Sequence, residues 1–558
     1  MAEGRAKMPV VTVKIKRLKK LISDIRVDTA LEMLPFIGLD IEGVDKETIR
    51  VEYNPNRPDL SSDIGIARAL RGLLEIETGL PKFKLAGKSG IAIRVQGSVC
   101  KVRPYIVAFA ANDGTLQDET LKQLISMQED LHNGIGRKRR KASIGIHNLD
   151  VITSPITYKT VTGDYSFRPL NESSDFSIDC ILSDLEIGKQ YGHILADFDR
   201  YPLLIDNAGK VLSFPPVING QATRVTDNCS NLFVEVTAID EDTAEDLLAI
   251  LAITLYDAGF DINSVNIESG KKTSKTPRMT QKVISADVSY LNNILGLSLG
   301  AKQMEHCLEK SRLDASIRNR KNIACTIPRY RIDINHPIDI AEELAIGYGI
   351  YNLEPSFPAS YSVGEKNSLS VHFNAIRESL IGLGMIESLN FLLTSKEVQY
   401  DTFDAPPPKH PLFVETSKSI EHELLRDSLI PVLLKSLSYN IHEQYPQKLF
   451  EIGKTFLKSN RMIEERWSVG AVIANTESGY TEIKSAMQAL LRSCFGREAI
   501  TTPSTNHMFM KGRSAQVMFE GKSVGIIGEI TPLALEKFKL RMPVAAFEIN
   551  LLPTIKDK

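Results

Sequence analysis

The chain has 558 residues, and at roughly 150 residues per domain that length predicts about three to four domains, each able to bury a core without disulfide or metal staples. Lys plus Arg number 67 and Asp plus Glu 69, so the net charge of −2 excludes a histone-like basic binder while leaving local basic patches open. Apolar residues at 43% and charged residues at 24% exclude wholesale disorder and a fibrous repeat.

The N-terminus, MAEGRAKMPVVTVKIKRLKKL, places charges inside any would-be apolar core and does not read as a signal peptide. Val11, Val13 and Ile15 alternate with Thr12, Lys14 and Lys16, which predicts a half-buried strand. A helix over 26–34 and a strand over 49–53 follow. The turn 54–62 (NPNRPDLSS) then feeds an amphipathic helix over 63–77 that Gly79 and Pro81 stop. A boundary near 85–90 closes an N-terminal α/β domain, 1–88.

Residues 89–266 read as a mixed α/β domain. Over 231–237, Leu232, Val234 and Val236 fall on one strand face and Phe233, Glu235 and Thr237 on the other. Thr243-Ala244-Glu245-Asp246 reads as a capping-box opening to an apolar helix ending at Gly259. The longest apolar stretch, 247–256, falls short of the about 20 residues that a membrane span needs. The polar stretch 268–279 reads as a linker and 275–352 as a small, mostly helical module. A second linker covers 352–366. Helices alternate with strand-like runs such as 470–473 and 523–530 across a last domain, 366–558. The six cysteines show no CxxC spacing, which fits a reducing, cytoplasmic setting.

Three stretches carry candidate chemistry. In 329–343 (RYRIDINHPIDIAEE), Asp333, Asp339, Glu342 and Glu343 crowd together. Pro337 forces an extended approach to a helix on which Asp339 and the two glutamates share a face. Crowded carboxylates need a positive partner, and a hard divalent cation with oxygen ligands supplies one. The alternative is plain capping, with Asp339 at the N-cap and Glu342 closing a capping box. Arg137, Lys138, Arg139, Arg140 and Lys141 form a run of five cations, read either as a phosphate contact or as a solvated loop.

The third stretch, 203–219, reads as strand, turn and strand. Pro215-Pro216 lacks two N–H donors and cannot occupy a central ladder. Ser213, Asn219, Thr223, Arg224 and Thr226 beside it predict a pocket wall, and the strand face of Glu235 and Thr237 lines the same pocket. No P-loop, GxSxG, HExxH or kinase signature is present. None of the ten histidines has ligand spacing, and each is read as an ordinary core or surface residue.

Taken in order, residues 56–68 (NRPDLSSDIGIAR), 137–150 (RKRRKASIGIHNLD), 202–219, 331–352, and 425–431 with 449–453 closely resemble the β subunits of phenylalanyl-tRNA synthetase of the archaeal/eukaryotic type. The resemblance covers essentially the whole chain. It implies an editing domain at 89–266, a helix-turn-helix-like magnesium module at 275–352, and a degenerate class II synthetase core (an antiparallel sheet with flanking helices) at 366–558. It also implies an α2β2 heterotetramer in which the α subunit binds ATP and joins phenylalanine to tRNA(Phe). Magnesium is then expected on Asp333, Asp339, Glu342 and Glu343, and tRNA on residues 137–141. The editing pocket would take Glu235 as acceptor for a tyrosine hydroxyl, with Leu204, Ser213, Arg224, Thr226 and Thr237 around it. Asn148 stands where an Asp is expected. The competing readings are a free-standing tRNA-editing hydrolase and a non-enzymatic, metal-dependent nucleic-acid-binding scaffold.

Overall fold

The structure, a computed structural model, describes residues 8–551 except 24, 271, 320, 358–362, 409, 418 and 460–461. The first seven residues of the N-terminus read above and the middle of the 352–366 linker lie outside the described residues. The chain divides into two compact units, 1–357 and 358–558.

In the first unit, Val10–Lys14 and Leu39–Val44 pair antiparallel with Thr48–Tyr53 between them. Val11 and Val13 are buried as their alternation predicts. Ile15, however, leaves the strand and opens the helix Ile15–Leu21. The amphipathic helix expected over 63–77 is Asp63–Leu73, shorter than the sequence suggests. Ser62 caps it, its hydroxyl accepting the Gly65 N–H at 3.2 Å. Gly65 has no side chain for a reason of packing: a Cβ there would come within 1.8 Å of the Asp59 carbonyl oxygen.

The second layer of this unit is a ten-stranded sheet. Its order runs from the edge Ile218–Asn219 through Val211–Phe214, Tyr201–Ile205, Ile156–Val161, Gly87–Val95, Asp261–Ser269, Tyr105–Asn112 and Leu232–Ala238 to Ala142–Asn148. Leu232–Ala238 lies one strand in from the edge, between Tyr105–Asn112 and Ala142–Asn148, and is buried on both faces. Leu232, Val234 and Val236 pack against the apolar helix Glu241–Asp257, while Phe233 joins the core on the opposite face. The two faces are those the alternation predicts. The helix is capped by Asp240, which accepts the Thr243 N–H, and not by Thr243. The supposed linker at 268–279 instead contributes the strand Lys272–Thr276, antiparallel to Asp261–Ser269. Its polar sequence reflects an exposed edge, and only Thr276 at its end is buried. Pro215 and Pro216 sit in the turn between the last two strands of the other edge, outside any central ladder.

The expectation of a mostly helical module at 275–352 is corrected. Lys282–Asp287, Asn322–Ile327 and Asp314–Asn319 form a three-stranded antiparallel sheet against which Val288–Leu295, Ala301–Lys310 and Pro337–Tyr348 pack. The second unit holds a seven-stranded sheet, with Ile386–Glu387, Gln447–Ser459, Met462–Ala474, Val544–Asn550, Lys522–Ile530, Phe509–Phe519 and Ile500–Pro503 in that order. All its pairings are antiparallel except the first. The helices Ser368–Gly382 and Tyr480–Phe495 cover one core, and Ile430–Tyr439 covers another.

Candidate functional site

In the first unit, a cavity of about 790 Å³ opens between the helix Asp118–Asn133, the Phe214–Asn219 turn and the strand carrying Glu235. Glu235 is 2% exposed. Its Oε1 accepts the Ser213 hydroxyl at 3.0 Å, while its Oε2 is buried with no hydrogen-bond partner. A buried carboxylate oxygen without a donor is costly unless a ligand supplies one. Backbone packing permits this placement. Glu235 pairs in register with Gly145 on one neighbouring strand and Ala108 on the other, so only small residues flank it.

Of the six residues the sequence assigned to this pocket, Glu235 and Ser213 line the cavity. Leu204 pairs with Ser213 in register but is buried in the core. Thr237 lies behind the pocket, where it accepts from Arg103 Nε at 3.1 Å. Arg224 and Thr226 are exposed on the loop beyond, and the Thr226 N–H and hydroxyl lie against Cys229 Sγ. These last four do not line the cavity.

The cavity recruits residues that sequence reasoning passed over. His132 is buried; its Nε2 accepts the Ile144 N–H at 2.8 Å and its Nδ1 faces Glu129 at 3.2 Å. Burial, with Arg139 and Arg103 nearby, lowers its pKa, so the ring is neutral at neutral pH. The bond from His132, reinforced by Arg139, holds the Glu129 carboxyl down at about 2. Arg139 also donates to the Val217 carbonyl at 2.9 Å and stacks over the Tyr191 ring.

This use of Arg139 revises the reading of the five-cation run. Arg137, Lys138 and Arg139 all have positive φ, of 48°, 53° and 65°, a left-handed turn that costs ~1–2 kcal/mol per residue. Arg103 holds it in place. Its fully buried guanidinium donates to the carbonyls of Arg139 and Arg140 at 3.2 Å and to the Thr237 carbonyl at 2.9 Å. Burial lowers the Arg103 pKa to about 10, which leaves it charged at neutral pH. Arg139 thus belongs to the cavity, and Lys141 pairs with Asp240 at 3.3 Å. Arg137, Lys138 and Arg140 remain exposed.

The carboxylates of 333–343 are engaged by other groups of the chain. Arg331 bridges Asp333, at 2.6 Å, and Glu343. Arg57, paired to Asp59 through two contacts of 2.9 Å, approaches Glu343 at 3.7 Å and Asp333 at 3.9 Å. Burial opposes ionisation of Glu343, but Arg331 and Arg57 outweigh it and lower its pKa. Asp339 Oδ2 accepts the N–H groups of Asn335 and His336, each at 2.7 Å. Asp339 therefore sits at the third helical position of a box capped at His336, and not at the N-cap. Among the described residues no group of three His, Cys, Asp or Glu side chains is placed to hold a metal ion. Of the four carboxylates read from the sequence as a ligand set, Asp333 and Glu343 are paired with guanidinium groups and Asp339 accepts from backbone amides. Glu342 is different. It is exposed and makes no ion pair among the described residues, and burial together with Glu343 and Asp333 raises its pKa. Arg57 and Arg331 pair with Asp59, Asp333 and Glu343, and neither pairs with Glu342.

In the second unit a larger groove, of about 1040 Å³, lies along the helix Tyr480–Phe495 and the strand Ile500–Pro503. None of the buried unpartnered side-chain atoms borders it.

Residues 284–350 match the family described as "tRNA synthetase B5 domain", and residues 353–551 match "Phenylalanyl tRNA synthetase beta chain CLM domain". A phenylalanine–tRNA ligase β subunit from Archaeoglobus fulgidus is 40% identical over 552 residues, covering 98% of each chain. The chain belongs to the phenylalanyl-tRNA synthetase β-subunit family. A second β subunit, from Methanocaldococcus jannaschii, is 35% identical and is covered along its entire length. A crystallised N-terminal fragment of the phenylalanyl-tRNA synthetase β subunit from Pyrococcus horikoshii matches 61% of this chain and 99% of its own, with a TM-score of 0.59 and 31% identity. As a member of this family the chain is a subunit of an aminoacyl-tRNA ligase of protein biosynthesis, and that membership implies an α subunit and tRNA as its partners. Among the described residues no helix is long and apolar enough to cross a membrane.

Proposed function

We propose that this β subunit assembles with an α subunit as an α2β2 heterotetramer, and that its own chemistry is the hydrolysis of tyrosyl-tRNA(Phe) in the cavity around Glu235. The α subunit would bind ATP and join phenylalanine to tRNA(Phe), releasing AMP and diphosphate. Tyrosine differs from phenylalanine by one hydroxyl, and an apolar pocket rejects an added hydroxyl by only about 10²-fold. A second site that hydrogen-bonds the phenol supplies the missing discrimination. The observation that carries the reading is the unpartnered Oε2 of Glu235, a residue lining a cavity of about 790 Å³. Both His132 nitrogens are engaged, so that imidazole is not free to act as a base, and the ester is left to positioned water. Arg137, Lys138 and Arg140 are the cations available to tRNA phosphates.

The second unit serves as the docking partner of α, on a degenerate class II synthetase-like core. Two features support this. Ile386, Leu389, Phe391 and Ile420 are 68%, 85%, 78% and 82% exposed, the mark of a surface meant to be covered. The buried guanidinium of Arg426 lies 2.6 Å from Glu451 and donates to the Lys454 carbonyl, so it is not available to a nucleotide phosphate. Magnesium is retained in a reduced form. Glu342 and Asp339, on one helical face, would hold the ion with its water, since magnesium is commonly bound through one or two carboxylates. The ion would neutralise charge and take no part in hydrolysis.

The test is tyrosyl-tRNA(Phe) deacylation by the reconstituted complex. Glu235→Ala is expected to abolish it while phenylalanine charging continues; unchanged deacylation would remove Glu235 from the role.

A further inference from the structure

We infer that His147 is a positioning residue for the Glu235 carboxylate, with the Thr223 hydroxyl fixing the imidazole in the tautomer that does the positioning. The inference rests on the reading of the pocket as a tyrosyl-tRNA editing site and adds to it the residues that decide which carboxylate oxygen meets the substrate.

His147 is fully buried on the strand Ala142–Asn148, two residues beyond Gly145 and on the same face. Its Nδ1 lies 2.9 Å from the Thr223 hydroxyl oxygen. Its Nε2 has no hydrogen-bond partner and sits 3.9 Å from Glu235 Oε1. A neutral imidazole carries one N–H and one lone pair. With the proton on Nδ1, the Nε2 lone pair would face a carboxylate oxygen inside a low-dielectric core, where repulsion is strong. With Thr223 donating its hydroxyl proton to Nδ1, Nε2–H faces Oε1 and the interaction is attractive. The geometry selects the second tautomer.

The consequence falls on the two oxygens of Glu235. Ser213 and His147 both direct a donor at Oε1. Oε2 is thereby left as the unsatisfied oxygen of the carboxylate. A tyrosine phenol reaching it completes the pair. A phenylalanine ring leaves it unpaired, which is the arrangement that discriminates most strongly against a missing hydroxyl. Without His147 the carboxylate is free to turn, and the acceptor no longer has a fixed direction.

The experiment uses the complex with the α subunit and compares wild type with Glu235→Ala, His147→Ala, His147→Gln and Thr223→Val. Deacylation of tyrosyl-tRNA(Phe), phenylalanine charging and melting temperature are measured for each. His147→Ala is expected to slow deacylation about tenfold or more, the size of one lost contact to a charged group, with charging unchanged. Glutamine, whose side-chain N–H reaches the position of Nε2–H, is expected to restore most of the rate. Valine at 223, which cannot donate, is expected to reproduce part of the loss. A purely structural His147 would lower the melting temperature with no rescue by glutamine, and that result overturns the inference. So does unchanged deacylation by His147→Ala in a complex that Glu235→Ala inactivates. Absence of deacylation by the wild-type complex would instead overturn the reading of the pocket, and this inference with it.

Discussion

Gly145 lies directly beneath the Glu235 carboxylate: a Cβ on Gly145 would stand 2.3 Å from Oε1 and 2.7 Å from His147 Nε2. The two residues pair in register on adjacent strands, so the absence of a side chain at 145 is what lets the acid lie flat toward the cavity. Gly145→Ala is therefore expected to displace the carboxylate. Deacylation of tyrosyl-tRNA should fall about tenfold or more, while the overpacking cost to folding stays near ~1–3 kcal/mol. Deacylation assays paired with thermal melts check both halves of the expectation.

Arg103 acts on the same pocket from behind. Its donors satisfy the Arg139, Arg140 and Thr237 carbonyls and hold a left-handed turn that would otherwise relax. Arg103→Met should destabilise the chain by about 3 kcal/mol through buried acceptors left unpaired. It should also slow deacylation, because Arg139 loses its place. Urea titration of the variant measures the first effect; a midpoint equal to wild type would count against the role given to Arg103.

Arg331 is the cation between Asp333 and Glu343. Removing it alone leaves the buried Glu343 and the half-buried Asp333 without their main partner, so Arg331→Met should cost about 3–5 kcal/mol. Lysine at 331 should recover little, since a point charge cannot bridge two carboxylates as a planar fork does. Glu342→Gln, by contrast, should slightly raise stability without magnesium, since the Glu342 charge is disfavoured in the fold, and abolish any increase in melting temperature on adding it. Melts with and without the ion separate the two behaviours.

Glu548, in the second unit, is buried where the N-terminus of the helix Ile430–Tyr439 and the Ser428 hydroxyl donate to its Oε2. Burial outweighs these donors and pushes its pKa from 4.5 up to about 7. A raised folded pKa means the native state holds the proton longer than the unfolded chain does. The associated stability is complete below about 4.5 and is lost as pH rises through about 7, amounting to about 3 kcal/mol. Glu548→Gln should flatten that part of the stability–pH curve and melt higher than wild type at pH 8. A curve that keeps its slope in the variant would place the titration elsewhere.

The parts of this site that were legible in the sequence are those with a period. The alternation at 232–236 fixed which side of a strand Glu235 occupies, and the strand–turn–strand around 203–219 located Ser213 beside it. Ser143, Gly145 and His147 alternate with Ile144 and Ile146, but Ala142–Asn148 is buried on both faces, so that alternation does not mark its polar side as a pocket wall. His132 and Glu129 reach the cavity from a helix whose pairing with that strand no local pattern encodes. The carboxylates at 333–343 were visible as a charge problem, but half of its solution, Arg57, comes from a distant turn. The strands of 282–327 were missed because Asp314–Asn319 is polar and Lys282–Asp287 is mostly exposed.

Phenylalanine charging with purified components tests the division of labour most directly. The α and β chains together are expected to form phenylalanyl-tRNA(Phe), and neither chain alone to do so. Aminoacylation by this chain in the absence of α would contradict the account.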